Sequence, residues 1–341
     1  MQFSVSSLLA PTAGLYLDVG SNRTKVVING RVVYDQPTCI TWHRSSMSVI
    51  DVGDKALLSL HKTNDAFACT FPVERGHVAQ PELFIGYLEA VLNQLPWQRS
   101  WWQIQAKGAF AIPNDTSPIQ RQQLLSILQR VGLSGLQLIT KTEAIQARLA
   151  QLHQQEKHAC IVDIGGGSTE AGLFFESRCL QKKTIPLGGI DFTTALQVAA
   201  QREYQVAIGW QTAEELKAKP DSFWPMASTK LHSQKMTVRA KDIIRSVPTT
   251  VVVELKQLQP ELLQVVDELI DEITQLLGTV SPEVLTQSLD QGLYLTGGGS
   301  LLPGLSSHIA DKLKCQIIPA HHPFQDVVQG LFTYGKIQKK F

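Results

Sequence analysis

The feature that most constrains this chain is a repeated one. An apolar strand ending in Asp-x-Gly occurs twice, as Gly14-Leu-Tyr-Leu-Asp18-Val-Gly20 and as Ala159-Cys-Ile-Val-Asp163-Ile-Gly165. Each is followed by strand-like runs, over 24–29 and 31–34 in the first case and over 169–175 and 180–186 in the second. Asn29-Gly30 is the turn pair that a tight hairpin requires. A buried strand that turns at Asp-x-Gly and returns as a hairpin needs a sheet beside it and helices over it. The rest of the chain supplies them. Residues 81–95 place Leu83, Phe84, Tyr87, Leu88, Val91, Leu92 and Leu95 at helical spacing. Thr116-Ser117-Pro118 opens a helix that Gly132 ends. Further helices are expected over 141–155, 191–204, 212–219, 259–277 and 305–313. Further strands are expected over 104–112, 136–139, 236–253 and 292–296. The fold class is therefore α/β, in two halves of matching element order: a leader over 1–13, a first domain over 14–155 and a second over 156–341.

Composition agrees with two cores. A chain of 341 residues is too long for one compact core. Lys and Arg total 31 against 30 Asp and Glu, a net charge of +1. That balance gives no global field to hold a polyanion, which argues against a nucleic-acid partner. No apolar run reaches the length of a membrane-spanning helix. The leader holds no Lys or Arg, so it lacks the charged start of a signal peptide. The five cysteines are scattered and never form CxxC. This pattern suits reduced thiols in a cytoplasm and argues against a disulfide framework or a zinc site. His153, His158, His321 and His322 have no carboxylate at ligand spacing and read as structural.

Three glycine turns carry the chemistry. Asp163-Ile-Gly-Gly-Gly-Ser-Thr-Glu170 puts three glycines after a buried strand. Backbone N–H groups in such a turn can approach phosphate oxygens closely, and the aspartate can hold a hydrated Mg²⁺. A tight turn that needs positive φ would use the same glycines. Asp18-Val-Gly-Ser-Asn-Arg-Thr24 repeats the arrangement in the first half. Leu295-Thr-Gly-Gly-Gly-Ser-Leu-Leu-Pro-Gly304 is the third turn, leading from a buried strand to a helix. GxGxxG does not occur, so a Rossmann dinucleotide site is unsupported.

In this order the three turns resemble the actin/sugar-kinase/DnaK superfamily, and within it the bacterial actins of the MreB type. The resemblance runs from about residue 14 to 332 through LYLDVGSNRT, Phe71-Pro-Val-Glu-Arg-Gly-His-Val-Ala79, AIP at 111–113, VDIGGGSTEAG, Ile185-Pro-Leu-Gly-Gly-Ile-Asp-Phe192, Gly209-Trp-Gln-Thr-Ala-Glu-Glu-Leu-Lys217 and LTGGGSLLPGL. It implies an actin-like, ribonuclease H-like two-domain fold with ATP and Mg²⁺ in a cleft between the halves. It places Asp18, Ser21, Asn22 and Arg23 in the first phosphate turn and Gly165, Gly166, Gly167 and Ser168 in the second. Glu214 and Lys217 would reach the adenosine, and Gly298, Gly299 and Ser300 would complete the nucleoside pocket. Asp163, with Asp18, would be on the Mg²⁺ side. Taken without the resemblance, Glu214 and Lys217 read as an ordinary charged helix face.

Two departures from the family pattern are visible. MreB proteins carry Glu-Glu-Pro after the strand that corresponds to 136–139, and the second glutamate is held to position the attacking water. Here the segment is Thr140-Lys141-Thr142-Glu143. Without a gap, Lys141 takes that place, and an ammonium has no acceptor for a water proton. A two-residue shift puts Glu143 there instead. Arg23 and Lys25 lie in or beside the first turn, where the family has small or apolar residues. They either bind phosphate or face solvent.

Trp97, Trp101 and Trp102 fall in Leu95-Pro-Trp-Gln-Arg-Ser-Trp-Trp102. They either cap the core of the first half or, as an exposed loop with Arg99, touch the membrane interface. The MreB resemblance adds a membrane-touching loop at this position. It implies an ATP-binding cytoskeletal protein that polymerises, lies cytoplasmic and peripheral to the membrane, and meets cell-shape and wall-synthesis membrane proteins. A scaffold that has lost hydrolysis and a small-molecule kinase are the alternatives. No sugar pocket or substrate-positioning carboxylate was found for the kinase.

Overall fold

The computed structural model describes residues 14–60, 65–96, 106–152, 158–219 and 235–337. It divides into two compact units, 1–156 with 325–341, and 157–324. Trp97, Trp101, Trp102 and His153 lie outside the described residues.

The first unit is built on a five-stranded sheet. Leu15–Val19 pairs antiparallel with Arg23–Ile28, which pairs antiparallel with Arg31–Pro37. On its other edge Leu15–Val19 pairs parallel with Gly108–Ile112, and that strand with Leu136–Thr140. Asn29 and Gly30 both take positive φ at the hairpin tip, the geometry of a turn matched to strand twist. Helix Pro81–Gln94 covers the sheet with Leu83, Phe84, Tyr87, Leu88, Val91 and Leu92 buried. Tyr87 donates from its hydroxyl to Thr24 Oγ1 at 2.7 Å, and Thr24 and Thr38 share a 2.8 Å hydroxyl contact. Helix Pro118–Arg130 begins with a reciprocal cap: Gln120 N–H donates to Ser117 Oγ, and Ser117 N–H to Gln120 Oε1. A smaller three-stranded sheet orders Val49–Val52, Ile40–His43 and Phe67–Thr70.

The second unit repeats the plan. Ala159–Ile164 pairs antiparallel with Thr169–Phe175, and Thr169–Phe175 with Arg178–Ile185. Leu293–Thr296 and Ile317–Pro319 add parallel strands on the other edge. The strand order is the same as in the first unit, so the duplication read from element order is a duplication of topology. Its core lies under helix Leu255–Leu277, whose Leu258, Leu262, Val266, Leu269, Ile270 and Ile273 are buried. A three-stranded sheet of Val206–Ile208, Lys235–Asp242 and Pro248–Glu254 completes the unit.

Two expectations are corrected here. The long helix was expected to open at 259, next to Pro260, but it starts at Leu255 and carries Pro260 inside. The burial of Leu255 and Leu258 outweighs the one backbone bond that proline removes. The second correction concerns the C-terminus, assigned from sequence to the second half. Residues 325–341 belong to the first unit. Helix Asp326–Ile337 lies against helix Lys141–Leu152. A Cβ on Gly330 would stand 2.1 Å from the carbonyl oxygen of Ala144, so only glycine permits that approach. Buried Asp326 meets Arg148 at 3.0 Å, and Phe332 stands edge-on to Tyr16 at 5.5 Å between centroids.

Candidate functional site

Both Asp-x-Gly turns close in the same way. In the first unit Gly20 N–H donates to Arg23 O at 3.0 Å, and in the second Gly165 N–H donates to Ser168 O at 2.9 Å. The strand registers match as well, Val19 opposite Thr24 and Ile164 opposite Thr169. The aspartate of each turn is buried at the end of its strand.

The second unit gathers its predicted residues into one cradle. Helix Gly189–Tyr204 starts against the Gly165–Ser168 turn: Gly189 N–H donates to Gly165 O at 2.9 Å and Ile190 N–H to Gly166 O at 2.8 Å. The first helical donors, which lack partners within the helix, are thereby satisfied by the turn's own carbonyls. The N–H groups of Gly166 and Gly167 have no backbone acceptor among the described residues. Glycine N–H groups of such a turn suit an anion. A Cβ on Gly188 would meet the carbonyl oxygens of Gly166 and Gly165 at 2.7 and 2.9 Å, so the two glycine pairs pack backbone to backbone.

Glu214 and Lys217 sit on helix Trp210–Lys217, and the cradle holds both. Lys217 Nζ donates to Gly189 O at 3.0 Å, to Thr193 Oγ1 at 2.8 Å and to Glu214 Oε1 at 2.7 Å. Thr193 Oγ1 also contacts Glu214. The i, i+3 pair is therefore anchored to the same helix start that holds the glycine turn, unlike a solvated charge pair. The third turn closes on the same strand end. Gly297 has φ +85°, and a Cβ there would lie 2.3 Å from Ile164 O and 2.4 Å from Asp163 Oδ1. Gly298 packs under the Phe324 ring and Gly299 against Ile164. Ser300 Oγ donates to Gly297 O at 2.6 Å, which turns its hydroxyl inward.

The Asp163–Glu170 motif ends in a carboxylate to which its sequence assigns no role. Glu170 is fully buried, and its oxygens accept from Ser168 Oγ at 3.1 Å and Thr184 Oγ1 at 2.7 Å. It fixes the hydroxyl of the predicted phosphate turn. Thr193 and the Gly188-Gly189 pair were likewise missed as site residues. The glycine pair following a strand in Ile185-Pro-Leu-Gly-Gly was the available signal.

The first unit treats its predicted residues less uniformly. Asp18 is buried, and its Oδ1 has no hydrogen-bond partner among the described residues. An orphaned buried carboxylate oxygen carries a desolvation cost that a hydrated cation would remove. The chemistry of that oxygen fits a hydrated cation, and, taken by itself, the glycine turn of the second unit fits phosphate oxygens. Ser21 Oγ accepts from Gly76 N–H at 2.9 Å, and Asn22 O accepts from Thr38 N–H at 2.9 Å. Arg23 is engaged elsewhere: its Nε donates to Asp35 Oδ1 at 2.9 Å and its Nη2 to Asp35 O at 2.8 Å. Lys25 is buried and stands in register between Asp18 and Asp35, so it does not face solvent.

The two candidates for the water-positioning place are also resolved in position. Glu143 Oε2 accepts from Thr140 N–H at 3.3 Å and serves as a cap on the start of helix Lys141–Leu152. Lys141 is buried and lines an ~80 Å³ cavity with Phe84, Phe110, His77, Thr116 and Gln120. Thr142 Oγ1 donates to Asn114 Oδ1 at 2.7 Å.

The family model of the MreB/Mbl protein matches residues 12–341. The cell shape-determining protein Mbl of Bacillus subtilis (strain 168) is 24% identical over 322 residues, covering 92% of this chain and 93% of that protein. The cell shape-determining protein MreB of Escherichia coli (strain K12) is 22% identical over 321 residues, covering 93% and 91%. Among solved structures, MreB 5 of Spiroplasma citri bound to AMPPNP gives a TM-score of 0.87 at 22% identity, covering 97% of this chain and 98% of that one. A MamK double helical filament gives 0.77 at 17% identity, covering 95% and 98%. The expected actin-like fold is thereby established.

Proposed function

The chain belongs to the MreB/Mbl family of actin-like proteins, and from that premise we propose that it binds ATP with Mg²⁺, polymerises into filaments and works in cell-shape determination. The observation that carries the nucleotide reading is the Lys217–Glu214 clamp on Gly189, whose N–H is bonded to the Gly165–Ser168 turn. A charged pair fixed to a glycine turn with free N–H groups is built for a phosphorylated ligand. In this reading the N–H groups of Gly166 and Gly167 hold phosphate oxygens, and Gly298, Gly299 and Ser300 border the nucleoside. Asp18 of the first turn and Asp163 of the second are each a candidate to hold the hydrated cation, which would neutralise phosphate charge when bound. The solved relative bound to AMPPNP and another bound to ADP support a nucleotide, and the MamK filament supports self-association.

Membrane contact through Trp97, Trp101 and Trp102, and meetings with wall-synthesis membrane proteins, are part of the same proposal and rest on the sequence. No helix among the described residues is long and apolar enough to cross a membrane, so attachment would be peripheral.

A second reading is favoured by one observation. Glu143 Oε2 already caps Thr140, and buried Lys141 has no acceptor to offer a water. A filament-forming scaffold that binds nucleotide and turns it over slowly, or not at all, follows from that arrangement.

Sedimentation and negative-stain microscopy with ATP, ADP or no nucleotide, with and without liposomes, test both readings. Phosphate release is followed in the same samples. Nucleotide-dependent polymers with little phosphate release are expected. Absence of polymers under every nucleotide and salt condition rejects the cytoskeletal reading, and brisk hydrolysis rejects the scaffold.

A further inference from the structure

The small sheet of the first unit holds a pair of sulfurs that the nucleotide reading does not use. Cys39 immediately precedes strand Ile40–His43, and Cys69 lies on the neighbouring strand Phe67–Thr70. Thr41 is the register partner of Cys69. Residues 39 and 41 point to the same side of a strand, so both thiols share one face with the Thr41 hydroxyl. Their Sγ atoms are 3.2 Å apart. Both residues are free thiols, Cys39 fully buried and Cys69 partly open to solvent.

We infer that Cys39 and Cys69 form a peroxide-sensitive dithiol that closes to a reversible disulfide. The geometry calls for a movement of about 1 Å to reach the bonded length of ~2.05 Å. The pairing of Ile40 with Thr70 and of Thr41 with Cys69 holds strand 67–70 beside the residue that Cys39 adjoins. The two roles are set by environment. Cys69 is the attacking sulfur: it is accessible, and the hydrogen bond from Cys39 draws its pKa down to about 7, which favours the thiolate. Cys39 is the resolving sulfur: it is enclosed, and the bond with Cys69 together with burial pushes its pKa far up.

The chemistry balances with a hydroperoxide as oxidant. The Cys69 thiolate attacks one peroxide oxygen, an S–O bond forms, the O–O bond breaks, and the leaving hydroxide takes a proton to become water. The Cys39 sulfur then displaces hydroxide from the sulfenic sulfur. The S–S bond forms, the S–O bond breaks, and the Cys39 proton leaves with the hydroxide as a second water. Two thiols lose two electrons and two protons, and one peroxide is reduced. In a reducing compartment such a pair is transient, which is how cytosolic disulfides serve as sensors.

The link has somewhere to act. Cys39 follows Thr38, whose N–H donates to Asn22 O in the first Asp-x-Gly turn and whose hydroxyl meets Thr24. Cys39 O accepts from Gly53 N–H at 3.0 Å. A staple at this point ties strand 67–70 to the residue beside the one that pins the turn.

The test uses the full chain treated with hydrogen peroxide, digested without reduction and mapped by mass spectrometry. A peptide linking Cys39 to Cys69, lighter by two hydrogens and separated by dithiothreitol, is expected. Titratable thiols in the unfolded protein should fall from five to three. In Cys39→Ser, a dimedone adduct should accumulate on Cys69 instead. Oxidation of Cys69 to sulfinic or sulfonic acid without linkage in the unaltered chain overturns the inference. So does a Cys69 link between two chains, or oxidation of Cys179 or Cys315 as fast as that of Cys69. Because the mapping is read on the unaltered chain, a folding failure of the serine variant leaves the test intact.

Discussion

Replacing Gly297 by alanine separates two costs that the third glycine turn combines. Gly297 has φ +85° and ψ 157°, an extended positive-φ conformation open essentially to glycine alone, which costs an L-residue about 1–3 kcal/mol. The added Cβ would also stand 2.3 Å from Ile164 O and 2.4 Å from Asp163 Oδ1. The first neighbour is backbone in the central strand and cannot step aside. Relieving both contacts requires movements of about 1 Å, with a packing cost of about 1–3 kcal/mol. The expected total is therefore ~2–6 kcal/mol. Gly132 is the internal control, because it has φ +82° with nothing within 4 Å of a Cβ. Gly132→Ala should carry a positive-φ cost with no clash, about 1–2 kcal/mol. Thermal unfolding followed by circular dichroism measures the difference. A fluorescent ATP analogue, titrated with and without Mg²⁺, measures the site. Gly297→Ala should lose more stability than Gly132→Ala and should also weaken Mg²⁺-dependent binding, since the Asp163 carboxylate is the neighbour that can rotate away. Equal losses in the two variants, with binding unchanged in both, would refute the claim that close packing against Asp163 shapes the turn.

Four further outcomes follow from other parts of the molecule. Gly330→Leu forces a side chain into the carbonyl of Ala144 and should detach helix Asp326–Ile337, seen as faster amide exchange over 326–337 with the second unit unchanged. Glu143→Ala removes the cap on Thr140 N–H and should cost about 1 kcal/mol of stability without slowing phosphate release. Lys141→Glu should raise release if this position is the vacant water-positioning place, and unchanged release in a folded variant counts against the scaffold reading. Alkylation of Cys69 by iodoacetamide should rise with pH through a midpoint near 7, because the bond from Cys39 depresses its pKa to about 7. Cys160, pushed up to about 12 by burial, should stay unreactive over the same range.

Much of the fold is legible in local pattern because its strongest elements are buried on a regular period. Leu83 through Leu92 repeat at helical spacing, Ser117 and Gln120 cap as their types require, and Leu305–Leu313 begins and ends where expected. Legibility ends where tertiary contact replaces local preference. Helix Asp326–Ile337 contains Gly330 and Gly335, residues that weaken a helix in isolation. Its stability comes from the close approach that Gly330 allows, and no local signal reports that approach. The strands Val49–Val52 and Phe67–Thr70 are four residues each, too short to reveal a period. At the site, the glycine turns announce themselves, whereas the use of Thr193 and Gly189 as anchors for Lys217 depends on two segments meeting in space. The fate of Arg23 was equally hidden, since its partner Asp35 lies one strand away.

The duplication also shows where the two units have diverged in charge. The turn aspartates hold equivalent places, yet the residue opposite Asp18 in register is Lys25, and the residue opposite Asp163 is Glu170. All four are buried. Asp18 and Lys25 are of opposite sign in register, and Asp35 with Arg23 extends the alternation of sign across the next strand. Two carboxylates facing each other in register are different: like charges out of water repel strongly unless donors or a cation intervene. Glu170 has two hydroxyl donors, Ser168 and Thr184, one on each oxygen, so the second unit meets with hydroxyls at this register what the first meets with residues of alternating sign.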